Sequence, residues 1–283
     1  MLTIAHWVPT SIGFPIVKIL ADWISSREEL PMVKAIRSNQ RGIHQNELTD
    51  DQLSSLTRET VRNIAYSMYT MFHYWNNNKA LQDMIKYSPE SELLIKRSRV
   101  KKDGTMVVFV HSSNFDVALK AASSKGLNGL VLSLPETDEA IEWQHDLRES
   151  SGIEVKPATL AVLREATRRL ESGETVVTGV DRPMPESKYH PRFFGRPTPL
   201  PVHYIYLALK TKVPVSVATA IRDEKGFFHI LASELVRMQP HEDRFEEVIQ
   251  NAERILKIAE NYILMAPTQW AMLHPLWPDK PNK

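Results

Sequence analysis

With 283 residues, 42% of them hydrophobic and 24% charged, the chain has the composition of a folded globular protein with one large α/β domain or two small ones. Basic residues number 35 against 34 acidic ones, and the resulting net charge of +1 gives a nucleic-acid partner no global electrostatic support. Cysteine is absent, which excludes disulfides and thiolate metal sites.

The N-terminus is apolar. Met1 to Val17 carries no charged side chain and includes Ile4, Trp7, Val8, Ile12, Phe14 and Ile16. It lacks the basic start of a secretory signal, and Pro9 and Pro15 interrupt it, so it is too short and too broken for a transmembrane helix. From Pro15 onward, Ile16, Ile19, Leu20, Trp23 and Ile24 recur at helical spacing and predict one apolar face. Such a face either packs on the core or lies in a bilayer interface.

Residues 1 to about 100 read as helical. Thr49-Asp50-Asp51-Gln52 has the spacing of a capping box. After it, Leu53, Leu56, Val61, Ile64, Ala65, Met68, Phe72 and Trp75 repeat every three to four residues. A buried helix accounts for this pattern; a wall for an acyl chain is the alternative, because Met and aromatic side chains line adaptable apolar tunnels.

Past Asp103-Gly104 the period changes. Thr105 to Val110 is a short continuous apolar run, as in a strand buried on both faces of a parallel sheet. The pattern then predicts a helix over 114–124, a strand over 128–134, a helix over 158–172 stopped by Gly173, and strands over 175–180 and 213–221. Phe227 to Ala232 reads as a hairpin partner, and Phe245 to Met265 as a last amphipathic helix. Strands alternating with helices predict an α/β fold with a mostly parallel central sheet flanked by helices. No linker divides the chain. We expect one domain over 1–283, with a helical region over 1–100 and an α/β core over 101–283.

Ligands collect outside the carboxyl ends of parallel strands. His111 directly follows the first strand, Asp116 lies five residues on, and Asp181 follows the 175–180 strand. A neutral imidazole can take the proton of an attacking hydroxyl, and a carboxylate on its other nitrogen fixes the tautomer and stabilises the imidazolium. The plain alternative is a helix-starting Asp116 and a histidine held in a local turn.

Val110-His111-Ser112-Ser113-Asn114-Phe115-Asp116 resembles the H-S/x-G/S-N-W/F-D/E block of the lipid A late acyltransferases and the phosphatidylinositol mannoside acyltransferases. Further blocks follow in the family's order: Leu147-Arg148-Glu149-Ser150, Gly152-Ile153-Glu154-Val155, Asp181-Arg182, Phe193-Phe194-Gly195 with Leu200-Pro201, then Pro267-Thr268-Gln269-Trp270 and His274-Pro275-Leu276-Trp277. The similarity runs from about residue 100 to 278. It implies a glycerolipid-acyltransferase-like fold, with His111 and Asp116 as the transfer dyad and Asn114, Arg148, Asp181 and Arg182 shaping the site. It also implies acyl-CoA or acyl carrier protein as donor, a membrane lipid or glycolipid as acceptor, no cofactor, and a peripheral place on the cytoplasmic face of the bacterial inner membrane. Three positions depart from the pattern: Glu136 stands in a shifted register for the family glutamate, Thr268 replaces a glutamate, and Ser113 replaces a glycine.

Between Asp181 and Pro197, the residues Arg182, Lys188, His190, Arg192 and Arg196 form a basic, proline-stiffened segment. It is a solvated loop or a phosphate-binding patch for a CoA, phosphopantetheine or phospholipid group. Phe193-Phe194 inside it points to core anchoring or membrane contact. Trp270, His274 and Trp277 read as aromatic packing that pins the tail. No H-E-x-x-H, G-x-G-x-x-G, Walker-type loop or G-x-S-x-G elbow occurs, so a metal site, nucleotide chemistry and a serine hydrolase lack support. A non-catalytic lipid-binding or membrane-docking protein of the same fold, and a thioester hydrolase using the same dyad, are the competing functional readings.

Overall fold

A computed structural model describes residues 6–45, 47–133 and 154–277. Its centre is a seven-stranded sheet made of β1 (Ile85–Tyr87), β2 (Thr105–Phe109), β3 (Leu130–Ser133), β4 (Glu154–Pro157), β5 (Thr175–Gly179), β8 (Val215–Arg222) and β9 (Phe228–Ala232). The strand order is β1-β9-β8-β2-β5-β3-β4, and every pairing is parallel except the β8–β9 hairpin. The α/β architecture is therefore the one expected, with β2 and β5 adjacent at its middle.

Alternation along the strands sorts the core into two sides. Met106, Val108, Leu130 and Val176 face one cluster, filled by Leu170 of α7 (Leu160–Glu171), Tyr204 of α8 (His203–Thr211) and Ile255 of α9 (Arg244–Met265). Val107, Phe109, Val131 and Val177 face the other, against Leu94 of α5 (Pro89–Val100) and Leu119 of α6 (Phe115–Ser124). Gly173 ends α7 with a φ of +88°, and its missing Cβ would sit 2.3 Å from the Lys101 carbonyl oxygen, so no other residue fits there without a shift.

Among the described residues, helices α1 (Thr10–Ser25), α2 (Pro31–Ile43), α3 (Asp50–Tyr74) and the short α4 (Asn78–Asp83) come before the first strand. The predicted capping box is present, with Thr49 and Gln52 exchanging both hydrogen bonds at the start of α3. The segment read as wholly helical also holds β1, a strand of three residues, too short to show a period. Strand β4 and the hairpin of β6 (Arg192–Phe193) and β7 (Arg196–Pro197) escaped the periodicity for the same reason.

Helix α1 departs from simple core packing. Its small residues Gly13 and Ala21 are buried, and Gly13 lies so close to the Tyr69 ring that a Cβ would collide with it. Arg62 of α3 grips Asp22 in a fork, Nε to Oδ1 at 2.5 Å and Nη2 to Oδ2 at 2.9 Å, and holds that carboxyl well below the usual carboxylate range. Turned this way, the helix presents Ile12, Ile16, Ile19, Leu20 and Trp23 to solvent, Ile19 being 68% and Trp23 57% exposed. No helix among the described residues is long and apolar enough to cross a membrane.

His203, at the start of α8, shares a 3.0 Å hydrogen bond with Thr178 of β5, and burial pushes its imidazole down to about 4 from 6.5. The unfolded chain takes up this proton near pH 6.5 and the folded one only near 4. Stability is therefore full above about 6.5, falls as the pH drops through that window, and levels off below 4. The loss attributable to His203 is at most about 3 kcal/mol. Chemical unfolding at pH 7 and pH 5 should show the decline, and His203→Gln should flatten it.

Candidate active site

Strands β2 and β5 run parallel with Phe109 opposite Gly179, so two steps further along each chain bring His111 and Asp181 together beyond the carboxyl edge. His111 Nδ1 and Asp181 Oδ1 are 2.5 Å apart. Asp181 is fully buried and also accepts the His111 backbone N–H, at 3.1 Å to Oδ2, and the Trp270 indole N–H at 2.7 Å to Oδ2. A buried carboxylate is tolerable only when such donors replace its water.

The carboxylate on the imidazole is thus Asp181, whereas the sequence pattern pointed to Asp116. Asp116 stands half-buried in the first turn of α6, where its charge suits the helix N-terminus. With Nδ1–H donated to Asp181, Nε2 is the ring's free base. The imidazole rests on Gly179: a Cβ there would come within 2.5 Å of His111 Cε1.

The tail closes the other side of this turn. Ala271 donates to the His111 carbonyl at 2.8 Å, Ser113 donates to the Gln269 carbonyl at 2.7 Å, and Ser112 forms a β-bridge with Trp270. Asn114 is buried and gives its amide to Gln269 Oε1 at 2.6 Å, while Gln269 binds both backbone groups of Arg222 at 2.8 Å each. Trp270 and Gln269 therefore position the His111 turn in addition to packing, a role the sequence reading did not give them. A cue was available, since a buried indole N–H requires an acceptor.

Next to Phe109 opens a narrow apolar slot, a cavity of about 80 Å³, between the sheet and helices α5 and α6. The Phe109 ring lies 5.3 Å from the imidazole and stacks on Phe115 at 3.7 Å, and both rings line the slot. Ala118, Ala122, Ala218 and Ala232 leave the space open. Helix α3, considered above as an acyl-chain wall, contributes none of the lining; its end packs instead near Val117 and Ala121. Among the described residues no cluster of three or more His, Asp or Glu side chains suits a metal ion.

The sequence profile of the bacterial lipid A biosynthesis acyltransferases matches residues 1–279. The chain belongs to this family. Membership makes it an acyltransferase of bacterial lipid biosynthesis. No curated protein matches the chain significantly.

The remaining expected site residues of this lipid A biosynthesis acyltransferase fall in three places. Glu136 and Arg148 lie outside the described residues. Arg182 follows Asp181 and is half-buried. Arg192, Phe194 and Gly195 belong to the β6–β7 hairpin, whose two turn residues both have positive φ, +50° at Phe194 and +75° at Gly195. A phenylalanine resists this conformation. Here its N–H donates to buried Glu260 at 2.6 Å and its ring lies edge-on to Trp277. Phe193 is fully buried against Trp270 and Trp277, so the aromatic pair anchors the loop to the core. Arg192 and Gly195 line a separate polar groove with Arg254 and Lys257 of α9.

Proposed function

We propose that the protein moves a fatty acyl group from acyl-CoA or acyl carrier protein to a hydroxyl of a membrane lipid or glycolipid, with His111 as general base. The observation that carries this reading is a histidine whose Nδ1 is held by a buried carboxylate and whose ring lies 5.3 Å from Phe109, a lining residue of an apolar slot. His111 Nε2 takes the acceptor's proton as its oxygen attacks the thioester carbonyl. The tetrahedral intermediate then expels the thiolate by breaking the C–S bond, and the imidazolium returns the proton to sulfur. Asp181 orients the ring and stabilises its charged form. The slot takes the acyl chain. Asn114 holds the catalytic turn, Arg148, Arg182 and Glu136 address the substrate head groups, and Arg192 with Phe194 and Gly195 forms a cationic corner for donor phosphates.

The exposed apolar face of α1, with Lys18 and Arg27 beside it, supports peripheral docking on the cytoplasmic face of the inner membrane. Replacing Ile19 and Trp23 by glutamate removes two side chains each worth about 1.5–3 kcal/mol on burial, so vesicle partitioning should fall at least roughly tenfold. Both are exposed, and the thermal melt should not change. The function itself is tested by incubating the protein with native membranes and radiolabelled acyl-CoA or acyl carrier protein. Transfer yields labelled lipid and free thiol. Labelled free fatty acid would identify a hydrolase, and unconsumed, protected donor a binding protein.

A further inference from the structure

The slot is walled by two helices. Helix α6 starts with Phe115 at its mouth, and Ala118, Leu119 and Ala122 line it on successive turns. At 1.5 Å per residue, Phe115 to Ala122 covers roughly 10 Å of depth along the helix. Helix α5 closes the side of the slot with Ser91, Leu94 and Ile95.

On the outer side of α5 lies a second, solvent-open groove, lined by Glu92, Leu93, Lys96, Arg99, Val100 and Lys125. Ile95 lines it too, and among the described residues no other lines both. The outer shelf is partly apolar: Leu93 is 47% and Val100 60% exposed. Lys125 bridges from the end of α6 to Glu92 at 2.8 Å and spans the gap between the two helices. Ile95, 5% exposed, is thus shared by the slot and the apolar shelf on the far side of the helix. A β-branched side chain in a helix is stiff about χ1, which makes it a firm stop where a methionine would yield.

We propose that Ile95 is the stop for the acyl chain and sets the length of chain this enzyme accepts. The inference rests on the acyl-transfer reading and adds its specificity determinant. Removing the stop joins the slot to the groove beneath the Lys125–Glu92 bridge, and the end of a longer chain then lies along Leu93 and Val100. Enlarging the stop shortens the slot.

The test measures kcat/KM over a series of saturated acyl donors for wild type, Ile95→Ala, Ile95→Phe and the milder Ile95→Val. The optimum should move to longer chains in Ile95→Ala, less far in the same direction in Ile95→Val, and to shorter chains in Ile95→Phe. Each methylene gained or refused changes kcat/KM by roughly 10–200-fold. An optimum unchanged in folded, active variants overturns the assignment. A second arm measures displacement of a fluorescent fatty acid by fatty acids of graded length from His111→Ala protein, with and without Ile95→Ala. A shift in that length ranking supports the stop, and none overturns it, whether or not turnover is seen. Wild type that transfers no donor in the series overturns the transfer reading alone.

Discussion

Replacing His111 by alanine is expected to lower acyl transfer by roughly 10²–10⁴-fold, the usual worth of one general base, while the protein stays folded. The ring is about one-third exposed, so its removal opens no sealed cavity. Asp181 keeps two of its donors, the His111 backbone N–H and the Trp270 indole. Circular dichroism and the thermal midpoint should therefore stay close to wild type while labelled lipid disappears. Membrane binding through α1 should persist, since that face does not involve His111. Full turnover by the folded variant would remove the proposed base from the mechanism.

Asp181→Asn is expected to cost up to about 10⁴-fold in kcat, more than Asp116→Asn, because Asp181 is the carboxylate bound to Nδ1. An amide offers one acceptor oxygen to three N–H donors and turns its own NH2 toward one of them. If that NH2 meets Nδ1, the ring shifts to the tautomer with a proton on Nε2, where the base is needed. Trp270→Phe gives a graded comparison: it keeps most of the apolar volume and deletes a single hydrogen bond to Asp181. Its loss of rate should be smaller, because both His111 donors to the carboxylate remain. Steady-state kinetics of the three variants, each with a thermal melt, separate these expectations. A severe loss in Asp116→Asn beside a mild one in Asp181→Asn would reverse the assignment of the orienting group.

The parts of this site legible in the sequence were those with local signatures. The apolar run over Thr105–Val110 marks β2 because a strand covered on both faces has no polar alternation to disguise it. His111 and Asp181 stood out by position alone, each at a strand's carboxyl end. Their pairing was not readable. It depends on β5 lying next to β2 in register, a neighbourhood set by packing across seventy residues of chain rather than by any local pattern. The H-x4-D spacing instead drew attention to Asp116, the nearer carboxylate. Helix α1 shows the reverse situation. Its apolar period was plain, but which side faces the protein was decided by Gly13 under Tyr69 and by the Arg62–Asp22 fork, which hydrophobicity does not encode.

The hydrogen bonds from Ala271 to His111, Ser113 to Gln269 and Trp270 to Asp181 have a consequence for biosynthesis. All seven strands of the sheet lie before residue 233, so the sheet is synthesised ahead of the segment around residues 269–271 that braces the His111 turn. The contact between His111 and Asp181 belongs to the sheet, and the later segment adds its brace to a pair already in register. Cleavage ahead of that segment would remove both the brace and part of the main cluster, since Trp270, Met272 and Leu276 are buried in it.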